Sequence, residues 1–504
     1  MAKRTTAYEM ANMHSSSSQE LEDAGSPHVL AGKPAASVRF WNRLRKLPPM
    51  FNFLMAILFI ESIAYFQITI SLQVYLHTVF GMSDTASGDV YATWGIIIFV
   101  ISFPAGLVID SIPIKASFLI GSVSLAISRI VFAISPFEGL TLAALFVPMA
   151  VGQAFIGQIF PIVINRYFEE GSRLSTFAFS VSYAVMNAGA VFAGWSTDLS
   201  LILGDYNGYH LLFTTASALT VINYYLCVAY ESPPPREQAP KRTKSASFKG
   251  VSLWYRMRLT CKVTVMEFWL KAKELFMQPM FWKLTTFTLF LTPVRNLFVI
   301  LNAFFPSYMK RVYTGYPYGT VLSINPILII FLTPAMSIVT DRYLSTYGWI
   351  VVGTLISSLS SLWLWLWPSE SLVPLICFVV FFTIGESIYS ARAGQYIVEK
   401  SPAGKKGAYS ALTSFPASIG HAIAGAFSGD LLARFCPDYV AYDEAEEIAY
   451  RRECSMSWFY IFIGTIPSAL LLLVSARFLN ADRSRHEGKN PGLIAKFLMA
   501  LRLA

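Results

Sequence analysis

Long apolar runs alternate with short polar turns along most of the chain. They lie at 51–80, 90–110, 116–134, 140–168, 176–203 and 209–230, and after a polar interval at 281–308, 320–340, 348–367, 372–398, 409–432 and 458–479. Each run meets or exceeds the ~20 residues that a helix needs to cross a ~30 Å hydrocarbon core. Lipid offers no partner to backbone N–H and C=O groups, so such runs must be helical. The pattern therefore predicts an all-α membrane protein of twelve transmembrane helices. Its expected domains are a cytosolic tail at 1–50, a six-helix bundle at 51–230, a cytosolic linker at 231–280, a second six-helix bundle at 281–480 and a second cytosolic tail at 481–504.

Composition supports the bilayer as solvent: 55% of the 504 residues are hydrophobic and only 14% charged, against about a quarter charged in soluble domains. The net charge of +9 would point to nucleic acid in a soluble protein. Here the basic residues gather between spans, at Arg39, Arg43, Arg45 and Lys46, at Lys241, Arg242, Lys244 and Lys249, and at Lys400, Lys405 and Lys406. The turns 81–89, 135–139 and 204–209 carry no Lys or Arg. This bias predicts that both termini are cytosolic and excludes nucleic acid as a partner. Lys310 and Arg311 break the bias on the opposite side. The first 49 residues hold no short apolar core with a cleavage site, so the first span is expected to act as signal anchor. In 253–276, Trp254, Tyr255, Phe268 and Trp269 alternate with Arg256, Arg258, Lys262 and Lys271, which predicts an interfacial amphipathic helix. Cys436 and Cys454 bracket an acidic segment on the non-cytosolic side and are a candidate disulfide. No phosphate-binding Gly-rich loop, Cys-x-x-Cys or His-Glu-x-x-His is present, so no cofactor, no metal and no enzymatic activity are expected.

The two halves echo each other. Asp110 and Asp341, Gly189 and Gly420, and Gly194 and Gly425 are each separated by 231 positions, as in a duplicated six-helix unit. Gly106-x-x-x-Asp110 and Ser337-x-x-x-Asp341-Arg342 resemble the signature of the major facilitator superfamily and its second copy. The resemblance implies the superfamily's twelve-helix fold and a conformational latch at Asp110, Asp341 and Arg342. The first copy departs from the pattern, with Ser111 where the family has a basic residue.

Within that superfamily the chain resembles the proton-coupled oligopeptide transporters. The resemblance rests on Glu61-Ser62-Ile63-Ala64-Tyr65-Phe66 in the first span, Ser323-Ile324-Asn325-Pro326 with Pro334 in the eighth, Gly385-Glu386 with Gly394 and Ser401-Pro402 around the tenth, and the rhythm of 177–189. It implies that Asn325 and Glu386 hold the amino end of a peptide. The family's Arg after Glu61 is Ser62 here, its earlier Glu is Leu58, and its helix 4 Lys falls at Gly157 or Gln158.

A charge at membrane depth costs ~2.5 kcal/mol or more, so each should be paired or face water. By that rule Glu61, Arg129, Arg295, Glu386 and Arg392 need a partner or water; with Asn325, which the resemblance implies, and with Tyr65 and Tyr389, the residues Glu61, Arg295 and Glu386 are expected to line one midplane cavity, with Glu61 and Glu386 as coupling carboxylates. Arg129 reads as a brace of the third span. The function expected is secondary active transport, by a monomer, of a small polar or zwitterionic solute, an amino acid or peptide, driven by protons. A gradient-independent uniporter of amino acids, sugars or nucleosides keeps the same fold, and a receptor or scaffold that transports nothing would use the linker and tails as docking surfaces. Plasma and endolysosomal-type membranes are equally compatible.

Overall fold

The computed structural model describes residues 47–168, 173–233, 273–274, 276–339, 344–402, 415–438 and 443–479. Most of both expected tails, most of the linker with its amphipathic segment, and Asp341, Arg342, Lys405 and Lys406 lie outside the described residues, as do the side chains of Asp110 and His421.

The first half contains α1 (Pro49–Thr69) and α2 (Leu72–Phe80), which together make one span, then α3 (Asp84–Ser111) and α4 (Ile114–Ile134). It continues with α5 (Glu138–Ala144) and α6 (Ala150–Tyr167), joined by a π-helical turn at Leu145–Met149, and with α7 (Arg173–Leu201) and α8 (Asp205–Ala229). The second half contains α9 (Pro279–Arg295), α10 (Leu297–Val312), α11 (Tyr318–Val339), α12 (Thr346–Ser360), α13 (Leu362–Leu366) and α14 (Val373–Lys400). It ends with α15 (Phe415–Phe435), α16 (Glu444–Val474) and α17 (Ala476–Leu479). Among the described residues eleven helical stretches are long and apolar enough to cross a membrane, and the 21-residue α15 is the twelfth span. The fold is all-α, with twelve membrane helices in two bundles.

The breaks within spans have local causes. Pro148 sits in the π-helical turn, where a missing N–H is tolerated. Pro293 interrupts the ladder of α9, the N–H of Val294 is taken up by Ser468 Oγ at 3.0 Å, and the helix restarts beyond Asn296. Arg295 is thereby set at a break in mid-span. In the first span Thr69 Oγ bonds back to the Tyr65 carbonyl at 2.8 Å just before α1 ends, the kind of side-chain competition that loosens a helix.

The halves meet along α3 against α15 and α7 against α11. At the first seam a Cβ on Gly88 would lie 2.8 Å from Gly429 Cα and 2.9 Å from the Gly425 carbonyl oxygen. At the second, Gly194 and Gly319 face each other backbone to backbone. Only glycine permits helices so close. Gly88→Ala is expected to destabilise the protein by about 1–3 kcal/mol, because the clash is with backbone that has no rotamer to move; a thermal melt unchanged from the parent would contradict this.

The turns at 81–83, 202–204, 313–317 and 436–438 lie at one end of the molecule, called here the distal end. Contacts across the halves close it. Asp198 on α7 accepts the N–H groups of Gly319 and Thr320 at 2.8 and 2.5 Å and the Thr320 hydroxyl at 2.6 Å. The first turn of α11 has no acidic residue of its own, so the other half supplies the anion that caps its positive end. Lys310 pairs with Asp205 at 2.5 Å, and Ser428 Oγ donates to Gln73 Oε1 at 2.9 Å. Cys436 and Cys454 are joined in a disulfide at the same end.

Candidate functional site

α11 and α14 place the centre of the site. Asn325 Nδ2 donates to Glu386 Oε2 at 2.9 Å and reaches the Thr383 hydroxyl at 3.0 Å. Thr383 and Glu386 are one turn apart on α14, and Asn325 sits immediately before Pro326, whose ring cannot extend the backbone ladder. Glu386 and Asn325 are buried. Arg295, projecting from the break after Pro293, is solvent-exposed yet within electrostatic range of Glu386 and Tyr389. A carboxylate and a guanidinium thus act on each other electrostatically at the break in this span.

The first half contributes from α7. Tyr183 lies near Asn187, whose Nδ2 donates to the Tyr183 carbonyl at 2.8 Å, and near Ser390 of the other half, within electrostatic range of both Glu386 and Arg295. Asn187 also lines a cavity between the halves together with Phe66, Phe298, Asn302 and Asn325. Phe66 and Phe298 meet edge to face across the halves with ring centroids 6.4 Å apart. The site is therefore polar at Asn187, Asn325 and Glu386, and aromatic beside them.

Four of the six expected residues, Arg295, Asn325, Tyr389 and Glu386, are brought together. Glu61 and Tyr65 are not among them. Glu61 is gripped by Arg129 of α4, whose Nη2 and Nη1 donate to its two carboxylate oxygens at 2.7 and 3.1 Å. Arg129 also donates to the Thr220 hydroxyl at 2.5 Å, and Asn223 Nδ2 lies 3.5 Å from Glu61 Oε2. Arg129 is wholly buried and Glu61 is 5% exposed. In a low-dielectric bundle the nearest guanidinium satisfies the carboxylate completely, so Glu61 is held within the first half instead of opening on the shared cavity. Tyr65 stays beside it, within electrostatic range of Glu61 and Tyr91.

Sequence reasoning did not pick out Tyr183, Asn187 or Ser390. A signal exists for the first two: Tyr183, Asn187, Ala190 and Gly194 recur at i, i+4, i+7 and i+11, a polar and small stripe on one face of α7.

The Major Facilitator Superfamily family model matches residues 54–425. Among solved structures, the transporter PepTSo of the POT family is 16% identical, with a TM-score of 0.66 over 87% of this chain and 99% of that one. A POT family transporter in complex with 5-aminolevulinic acid is 15% identical, with a TM-score of 0.65 over 86% and 97%. The nucleoside transporter NupG is 13% identical, with a TM-score of 0.64 over 84% and 99%. These similarities are of fold. None of the curated proteins matches the chain in sequence.

Proposed function

The chain belongs to the major facilitator superfamily, and from that membership we propose that it carries a small zwitterionic solute, an amino acid or short peptide, by proton-coupled alternating access. One observation carries the reading: Glu386 and Arg295 of the second half and Tyr183 of the first lie within electrostatic range of one another, beside a cavity between the halves that Asn187 and Asn325 line. A solute ammonium group fits Glu386 and the Asn325 side-chain oxygen. Its carboxylate fits the Arg295 guanidinium, with Tyr183 as a further donor. The aromatic wall of Phe66 and Phe298 suits an apolar side chain between them.

Coupling follows from charge balance. While Glu386 is ionised its charge opposes that of Arg295 at short range; a proton on Glu386 leaves the guanidinium to a solute carboxylate. Because the site draws on both halves, rocking one against the other changes which side reaches it. The charge bias of the loops puts the closed distal end on the non-cytosolic side and both termini in the cytosol.

One observation favours a uniporter as the second reading: the commitment of Glu61 to Arg129 removes one of two expected coupling carboxylates. Counterflow in vesicles that does not change with pH would select it.

The test is thermal stabilisation of purified protein by dipeptides, amino acids, sugars and nucleosides at two pH values. A ligand at a hundred times its Kd adds about 2.7 kcal/mol, which moves a melt visibly. Stabilisation confined to amino acids or peptides is expected. A response to sugars or nucleosides alone would overturn the zwitterion reading, and NupG and the 5-aminolevulinic acid complex indicate which solute classes to include.

A further inference from the structure

Arg311, one of the two residues that break the charge bias, lies at the centre of a cluster that spans both halves at the distal end. Gly81, at φ 68°, closes the last turn of α2 by donating its N–H to the His77 carbonyl, and the chain then turns back into the Ser83 cap and Asp84. This brings His77 and Asp84 side by side. Arg311, from the last turn of α10, donates through Nη2 to Asp84 Oδ1 at 2.7 Å. Its Nη1 donates to Asp84 Oδ2 at 3.0 Å and to the Cys436 carbonyl at 2.6 Å, and its Nε lies 2.7 Å from Asp438 Oδ1. The disulfide to Cys454 of α16 ties the strand that carries this carbonyl and Asp438.

His77 completes the cluster. Its Nδ1 lies 2.7 Å from the Met82 carbonyl oxygen, and its Nε2 contacts Asp438 Oδ2. Both partners are acceptors, a carbonyl and a carboxylate. A neutral imidazole has a single N–H and would turn a lone pair on one of them; only the imidazolium donates to both. The charge count agrees, since Asp84 and Asp438 carry two negative charges against one on Arg311. Arg311 Nη2, 3.2 Å from Nε2, opposes a second positive charge, but the guanidinium has two carboxylates and a carbonyl for its other donors. Asp84 lies 3.6 Å from Nδ1 and favours the charge. From α16, Tyr450 donates to the Pro437 carbonyl at 2.7 Å and lies within electrostatic range of Asp84, Asp438, Arg311 and Glu453.

We infer that His77 is a proton-binding site built into the closed distal end, so that closing this end takes up one proton from the compartment it faces. This rests on the alternating-access reading, but concerns a second proton, about half the molecule away in sequence from Glu386. As pH rises through the range where imidazoles lose their proton, near 6–7, His77 loses its second N–H, can donate to only one of the Met82 carbonyl and the Asp438 carboxylate, and the end loosens. On the acid side, burial pushes the Asp438 carboxyl up, yet the hydrogen bond from His77 and the charge of Arg311 outweigh it and hold the group below its usual range. Its share of the latch is thus fully present above the ordinary carboxylate range and is lost only as pH falls through that lowered value.

The test is the distance across the distal end, measured by paired spin labels at Glu138→Cys and Pro368→Cys in lipid nanodiscs, with Cys227, Cys261 and Cys377 changed to Ser and the disulfide kept. No solute is added, so the result does not depend on finding the transported molecule. Between pH 5 and pH 8 the ratio of closed to open distances is expected to fall about tenfold, within what one linked proton permits. His77→Gln is expected to remove that dependence. Asp438→Asn, at an exposed side chain, should flatten it as well. A parent protein with no change between pH 5 and pH 8, or a His77→Gln variant that keeps the full slope, would overturn the inference.

Discussion

Glu386→Gln is expected to abolish accumulation driven by a pH gradient while solute exchange at equal pH continues. The amide has nearly the shape of the carboxyl and can still accept from Asn325 through its oxygen, so the pocket is preserved. It cannot take up or release a proton, and it cannot balance Arg295. One charge moved through 100 mV supplies about 2.3 kcal/mol, which corresponds to roughly fifty-fold accumulation. In the variant this ratio should fall to about one. Vesicles loaded with the parent or the variant protein, given the same inward proton gradient and a labelled substrate, measure the ratio directly. Undiminished accumulation in Glu386→Gln would remove Glu386 as the coupling group.

The span pattern was legible because lipid forbids alternatives: twelve long apolar runs can only be helices, and most of the helices observed start and stop within a few residues of them, although α3 begins six residues and α16 fourteen residues before its run. Arg295 and Glu386 were legible by the cost of charges at membrane depth, and Asn325 with Glu386 by the resemblance to the oligopeptide transporters. The rule marks which residues need a partner, and it is silent on which partner each one finds. Glu61 and Arg129 are 68 residues apart. Whether Glu61 meets that guanidinium or a solute depends on the rotation of α1 against α4, a packing property. The distal cluster was less legible still, since His77 and Asp438 are 361 positions apart and Asp84 and Arg311 are 227. The one visible trace was Arg311, a basic residue on the wrong side for its charge. Asp198 left no trace, because capping a helix from another half uses an ordinary acidic residue at an ordinary position.

Removing Arg129 should be far more damaging than removing both partners of its pair. Arg129→Ala leaves a buried carboxylate facing Thr220 and Asn223 with no counter-charge, a loss of about 3–5 kcal/mol for a buried pair broken on one side. The double variant Glu61→Leu with Arg129→Met replaces the pair by apolar groups of similar bulk and should restore most of that stability, because two desolvated charges are removed together. Melting of the three purified proteins reads the difference. The same set separates a structural Glu61 from a coupling one: if Glu61 only braces the first half, the stable double variant still accumulates solute under a proton gradient. A double variant that melts like the parent but has lost gradient-driven uptake, while exchange continues, would return Glu61 to the coupling pathway. The bidentate geometry argues against that outcome. Arg129 is fully buried and gives both carboxylate oxygens a donor, so a proton arriving at Glu61 would have to strand a guanidinium in the interior of the bundle, which costs more than protonating Glu386 beside the exposed Arg295.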